Sequence, residues 1–180
     1  MVKLIQKTDI KCDHKKIKNE VLFLLQKYPF CPSHNQISLT GFSPEDSPYR
    51  CLGKLSDVNN ELYGSLESDM NKLLLIINET YLKKFLEKIP FGFGRVRIMQ
   101  IKPKQCYTFH IDNNFRYHLA IDSNPNSFIV FKEPTHQLIN IPTDGFLYQM
   151  NGFHKHSAMN GGNKPRIHLV ISSDNKYMED

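Results

Sequence analysis

Hydrophobic positions follow two different periods along this chain. In the first half they recur at helical spacing. Ile17, Val21, Leu24, Leu25 and Tyr28 follow Asp13, a residue type that caps helix N-termini, and the stripe stops at Pro29. Tyr81, Leu82, Phe85, Leu86 and Ile89 form a second apolar stripe, which predicts a helix from about residue 78 to Pro90. Ahead of the first helix, Val2, Leu4 and Ile10 alternate loosely and predict an opening strand. Between the helices, residues 31–64 carry Pro32, Pro44 and Pro48 among Ser, Asn and Gly, the texture of an irregular connection, with a short strand near residues 37–39. Long connections in compact domains are often binding elements, so this one is expected near a site entrance.

From Arg95 onward the period becomes two. The runs RVRIMQI, CYTFHI, FRYHLAI, SFIVF, QLINI, GFLYQM, KHSAM and RIHLVI are separated by Pro, Gly, Asn and Asp. Short strands at this spacing predict a sandwich or jelly roll, giving a mainly β protein with flanking helices, an α+β class. Two of the runs share the form Arg-x-His-Leu. In one, Arg116, His118 and Ala120 leave one face while Phe115, Tyr117, Leu119 and Ile121 leave the other; in the second, Arg166 and His168 alternate with Ile167, Leu169 and Ile171. The apolar faces must pack. The polar faces either meet solvent or line a barrel interior, where Arg166 would offer a carboxylate-bearing ligand a bidentate partner.

Composition narrows this picture. With 180 residues, 40% of them hydrophobic, the chain can bury one substantial core. We read a single domain over residues 1–180, with a helical and loop support region (1–93) and a β core (94–172). The formal charge of +5 suits an acidic partner or simple solubility, and does not establish nucleic-acid binding. Cys12, Cys31, Cys51 and Cys106 lack zinc or disulfide spacing and are expected as free thiols. The N-terminus has no secretory pattern, and the apolar run at residues 73–77 is too short to cross a bilayer, so a reducing, cytoplasmic setting is expected.

Candidate chemistry lies in the β region, which holds six of the eight histidines: His110, His118, His136, His154, His156 and His168. His110 and Asp112 stand two residues apart, so in an extended segment both face one side. His154 and His156 supply further imidazoles, and Arg166 follows His156 by ten residues. Two histidines and one carboxylate around a metal, with the opposite face open, suit non-haem Fe(II) oxygen chemistry.

The ordered set GRVRIMQIKPKQCYTFHID, RYHLAI, IPTDGFLYQMNGFHKHSAMNGG and PRIHLVIS, covering residues 94–172, resembles the Fe(II)- and 2-oxoglutarate-dependent oxygenases, and within them the aspartyl/asparaginyl β-hydroxylase-like branch. The resemblance implies a double-stranded β-helix with helices packed outside. It places His110, Asp112 and His156 on iron, Arg166 on the distal carboxylate of 2-oxoglutarate, and Arg116 and His118 near the co-substrate. The ten-residue step to Arg166 fits the family pattern from His156 and not from His154, which becomes a flanking residue. The implied reaction couples decarboxylation of 2-oxoglutarate by O2, giving succinate and CO2, to hydroxylation of an amino-acid side chain, free or within a polypeptide. Two rivals stand beside it. One is a non-catalytic cupin-like module in which HKH binds a metal or ligand, against which no glutamate follows HKH at short spacing. The other is a nucleic-acid demethylase, against which Arg166 is followed by IHLVISS with no second arginine. Arg50, Arg97 and Gln149 are candidate substrate contacts, with a solvated strand face the expectation for Arg97.

Overall fold

The computed structural model describes residues 3–134 and 136–174; Val2 of the expected opening strand lies outside them. Strand β1 (Ile5–Lys11) leads into helix α1 (His14–Lys27), whose Asp13 side chain caps the Lys16 amide. Short strands β2 (Gln36–Ser38), β3 (Thr40–Gly41) and β4 (Lys72–Leu73) interrupt the connection, which also holds a 3-10 turn at Glu67–Asp69. Helix α2 (Tyr81–Glu87) starts later than the apolar stripe implies, because Thr80 takes the N-cap and residues 75–77 form a separate 3-10 turn. Eight strands follow: β5 (Phe93–Ile101), β6 (Gln105–Cys106), β7 (Arg116–Asp122), β8 (Ser127–Phe131), β9 (Gln137–Ile139), β10 (Phe146–Met150), β11 (His156–Asn160) and β12 (Arg166–Ser173).

Strand order fixes the architecture. The large sheet runs β1-β10-β7-β12-β5-β2 and the smaller one β6-β11-β8-β9, with antiparallel pairing throughout. From β5 to β12 the chain alternates between the two sheets, apart from the β8–β9 hairpin, so two sheets wind around one interior. This is the double-stranded β-helix form of the jelly roll, mainly β with two flanking α-helices.

Period-two alternation then sorts the side chains. Val96, Ile98, Leu119, Leu169 and Ile171 leave the outer face of the large sheet and pack with Ile17 and Val21 of α1 and Leu82 and Leu86 of α2. The inner faces of the two sheets contribute Ile101, Ala120, Ile129, Phe131, Met150 and Ala158 to a second core. Leu169, fully buried, pairs across to Ile98 on one side and Leu119 on the other. Leu169→Ala is expected to cost about 2–5 kcal/mol, through lost transfer energy and the cavity left behind. Urea denaturation measures this, and a change under about 1 kcal/mol would mean that the outer core is not the principal one.

Asn160, the last residue of the His-Ser-x-x-Asn motif, has a structural role. Its amide donates to the carbonyls of Ile101 and Lys164, while its oxygen accepts from Ser127, Asn124 and the Gly162 amide. It ties the ends of β5 and β8 to the β11–β12 turn.

Candidate metal centre

The polar strand faces point inward. Arg116, His118, Arg166 and His168 are all buried, and the sheet register explains why: Val170 pairs with Arg97 and His118, and His168 with Met99 and Ala120, on the face opposite the outer core. Arg97 therefore does not lie on a solvated face. With Val96 and Ile98 packed outward, Arg95 and Arg97 can only project into the barrel, and Arg97 lines its cavity.

His110, Asp112 and His156 converge there. Their candidate ligand atoms all lie within 4.8 Å of one another. The segment holding His110 and Asp112 is less regular than the expected strand CYTFHI. Only Gln105–Cys106 is in a ladder, and beyond it His110 makes an isolated bridge with His156. The His110 and His156 amides each donate to the other's carbonyl at 2.9 Å, which sets the two rings side by side with centroids 4.5 Å apart. The Asp112 amide donates to Gly152 O at 2.8 Å and draws the carboxylate to the same place.

Hydrogen bonds also fix which nitrogen each ring presents. His110 Nδ1 lies 2.9 Å from Thr108 O and His156 Nδ1 lies 2.8 Å from His154 O. A carbonyl only accepts, so both Nδ1 atoms carry hydrogen and both Nε2 atoms keep a lone pair, as metal ligation requires. His156 Nε2 stands 3.5 Å from Asp112 Oδ2. Ligand atoms at about 2.1 Å from one ion sit about 3 Å apart, so small side-chain rotations bring the three onto a shared metal.

Asp112 Oδ1 accepts from Arg116 Nη2 at 2.8 Å. Burial raises the Asp112 pKa, but the Arg116 guanidinium outweighs it and holds the carboxyl well below its ordinary range, ready as an anionic ligand. Arg116, expected beside the co-substrate, has its other amino group on Glu67. Arg95 also bonds Glu67, and Arg97 Nη2 is 3.8 Å from it. Burial pushes Glu67 up, and the three guanidiniums of Arg116, Arg95 and Arg97 bring it down to about 2.

Deeper in the barrel, Arg166 is 3% exposed, and its Nη2 contacts His168 Nδ1 at 3.1 Å. No carboxylate of the described residues forms an ion pair with it, and burial depresses it to about 10. Burial, with Arg166 close by, also holds His118 and His168 well below the usual imidazole range, so both are neutral. Both ring nitrogens of His118 and Nε of Arg97 are buried without a partner, and both residues line the cavity. Unpaired buried polar atoms are costly, and a polar ligand in this cavity would satisfy them.

These shifts predict an acid-labile fold. Below about pH 6.5, the ordinary imidazole value, the unfolded chain takes up protons that His118 and His168 refuse when folded, so stability falls with pH. Glu67 adds to the loss below its ordinary 4.5, as pH falls toward about 2. Urea midpoints should drop steadily from pH 7.5 to pH 4; a flat profile would contradict these burials.

Other candidates fall elsewhere. His154 is half-buried outside the triad, and His136 is exposed. Gln149 donates to Tyr117 Oη, and Arg50 pairs with Asp46. Glu67, Arg95 and Tyr107 escaped the sequence reading. Arg95 and Arg97 carry the same alternation as the Arg-x-His-Leu runs and were legible in that way, whereas Glu67 lies on an irregular turn with no sequence signal. Of residues 31–64, Gly53 accepts from Arg95 Nη1, and Lys54 is close enough to help lower the His110 pKa, chiefly a burial effect. All four cysteines are free thiols, and no helix among the described residues is long and apolar enough to cross a membrane.

No protein-family model matches the chain, and no curated protein matches its sequence. Solved structures do. A cupin domain from Bordetella pertussis Tohama I is 12% identical, with TM-score 0.41 over 49% of this chain and 88% of that one. A 2OG-Fe(II) oxygenase family oxidoreductase from Burkholderia pseudomallei is 14% identical, with TM-score 0.41 over 52% of this chain and 50% of that one. Oxalate decarboxylase from Bacillus subtilis is 16% identical, with TM-score 0.38 over 47% of this chain and 22% of that one. The fold rests on the strand order described above and the chemistry on the side chains.

Proposed function

We propose that this protein is an Fe(II)- and 2-oxoglutarate-dependent dioxygenase that hydroxylates an amino-acid side chain, in the manner of the aspartyl/asparaginyl β-hydroxylase-like branch. The observation that carries the reading is a pair of features in one barrel: the His110, Asp112 and His156 set, and a buried Arg166 with no carboxylate partner among the described residues. Burying a guanidinium without a counter-charge is expensive, and a dianionic 2-oxo acid offsets it by placing its distal carboxylate there.

Bound Fe(II) would activate O2 and couple decarboxylation of 2-oxoglutarate to hydroxylation. The chain's own contribution is positional. His110 and His156 offer Nε2 because their Nδ1 hydrogens are held by carbonyls, and Arg116 keeps Asp112 anionic. His118, neutral and unpartnered, is placed to hydrogen-bond the co-substrate, and Met99, Ile129 and Val170 line the same cavity with apolar surface that limits water. At the rim, Phe109 and Ile111 flank His110 and are 46% and 59% exposed, apolar surface that suits contact with an amino-acid or polypeptide substrate.

The test is turnover. Purified protein with Fe(II), 2-oxoglutarate and O2 should form succinate, and peptide libraries or lysate should contain a product heavier by one oxygen atom. Metal binding with no succinate under any substrate would favour the cupin-like binding module. A shift of single-stranded oligonucleotides at moderate salt would favour the demethylase.

A further inference from the structure

Glu67 lies outside the jelly-roll strands, yet its carboxylate meets the guanidiniums of Arg95 and Arg116, with Arg97 3.8 Å away. Gly94 allows this approach, because a Cβ there would stand 2.1 Å from the Glu67 carbonyl oxygen, so the turn sits directly on β5. Arg116 divides its amino groups: Nη1 goes to Glu67 and Nη2 to Asp112 Oδ1. The other Asp112 oxygen, Oδ2, is the one beside His156 Nε2.

We propose that Glu67 is a positioning residue for the metal carboxylate, holding Arg116 so that it grips one oxygen of Asp112 and leaves the other for the ion. This rests on the reading of His110, Asp112 and His156 as a metal site. A guanidinium facing a single carboxylate closes a two-pronged fork on both oxygens. Glu67 occupies one prong. Without its charge, Arg116 swings both N–H groups onto Asp112 and withdraws Oδ2 from the ion.

The experiment measures Co(II) affinity of the full chain by visible absorption, and Zn(II) affinity by chelator competition, both without 2-oxoglutarate. Glu67→Gln should weaken binding roughly 10- to 100-fold, the usual cost of losing an outer partner of a metal ligand, and should alter the Co(II) spectrum. In an Arg116→Gln background the same change should weaken it less than about 2-fold, since the effect acts through Arg116. Should Glu67→Gln alone fail to fold by circular dichroism, the pair Glu67→Gln with Arg95→Gln removes one buried charge of each sign and should show the same loss. Wild-type affinity in either folded variant, or an equal loss in the Arg116→Gln background, overturns the role of Glu67 alone. A wild-type protein that binds neither ion overturns the metal reading and this proposal together.

Discussion

His156→Ala is expected to abolish metal-dependent turnover while leaving a folded protein. Losing one of three ligands costs more than the roughly 10- to 100-fold in metal affinity that outer-partner changes cause. The ring is buried, with its centroid 5.9 Å from that of Phe131, so its removal should also lower stability by about 1–2 kcal/mol, well short of unfolding. His110→Ala should behave in the same way. His154→Ala should stay near wild type, because only the His154 backbone carbonyl reaches the site, as acceptor for His156 Nδ1. Calorimetric Fe(II) titration under argon, beside succinate assays, separates these variants. An inactive His154→Ala with an active His156→Ala would reverse the ligand assignment.

Arg166→Met should separate stability from binding. Removing one partner of a desolvated charge pair costs about 2–5 kcal/mol, so 2-oxoglutarate affinity should fall by roughly 30- to 4,000-fold. The ligand-free protein should melt at the same temperature or higher, since a buried cation with no carboxylate partner is exchanged for an apolar side chain of similar length. Metal affinity measured without co-substrate should be unchanged. A variant that loses stability yet binds 2-oxoglutarate normally would make Arg166 a structural residue and leave the anionic ligand without its receptor.

Most of the framework was legible in one dimension because burial in a jelly roll writes itself as alternation. The runs at β5, β7, β8, β10, β11 and β12 appear as strands because each has one face committed to a core. His110 and Asp112 stood out by spacing, although they come together through an isolated bridge and the Gly152 carbonyl rather than a regular strand. The choice between a solvated and an interior face for Arg116, His118, Arg166 and His168 could not be made locally. A charged residue reads the same on either side, and only the second sheet decides which side is inside. Arg97 shows this most plainly: solvent was the expectation, and a closed barrel with Glu67 and Gln36 beside the guanidinium is what it meets. Glu67 was invisible for a related reason, since its partners on β5 and β7 lie 28 and 49 residues further along the chain.

The central claim is that one ferrous ion and one 2-oxo acid share this barrel. Anaerobic titration of Fe(II) into the protein with 2-oxoglutarate tests it most directly, by the visible charge-transfer band of a chelated 2-oxo acid. The band should appear only when both are present, vanish in His156→Ala, and require far more 2-oxoglutarate in Arg166→Met. A folded wild-type protein that binds Fe(II) and shows no band at saturating 2-oxoglutarate would contradict the oxygenase account.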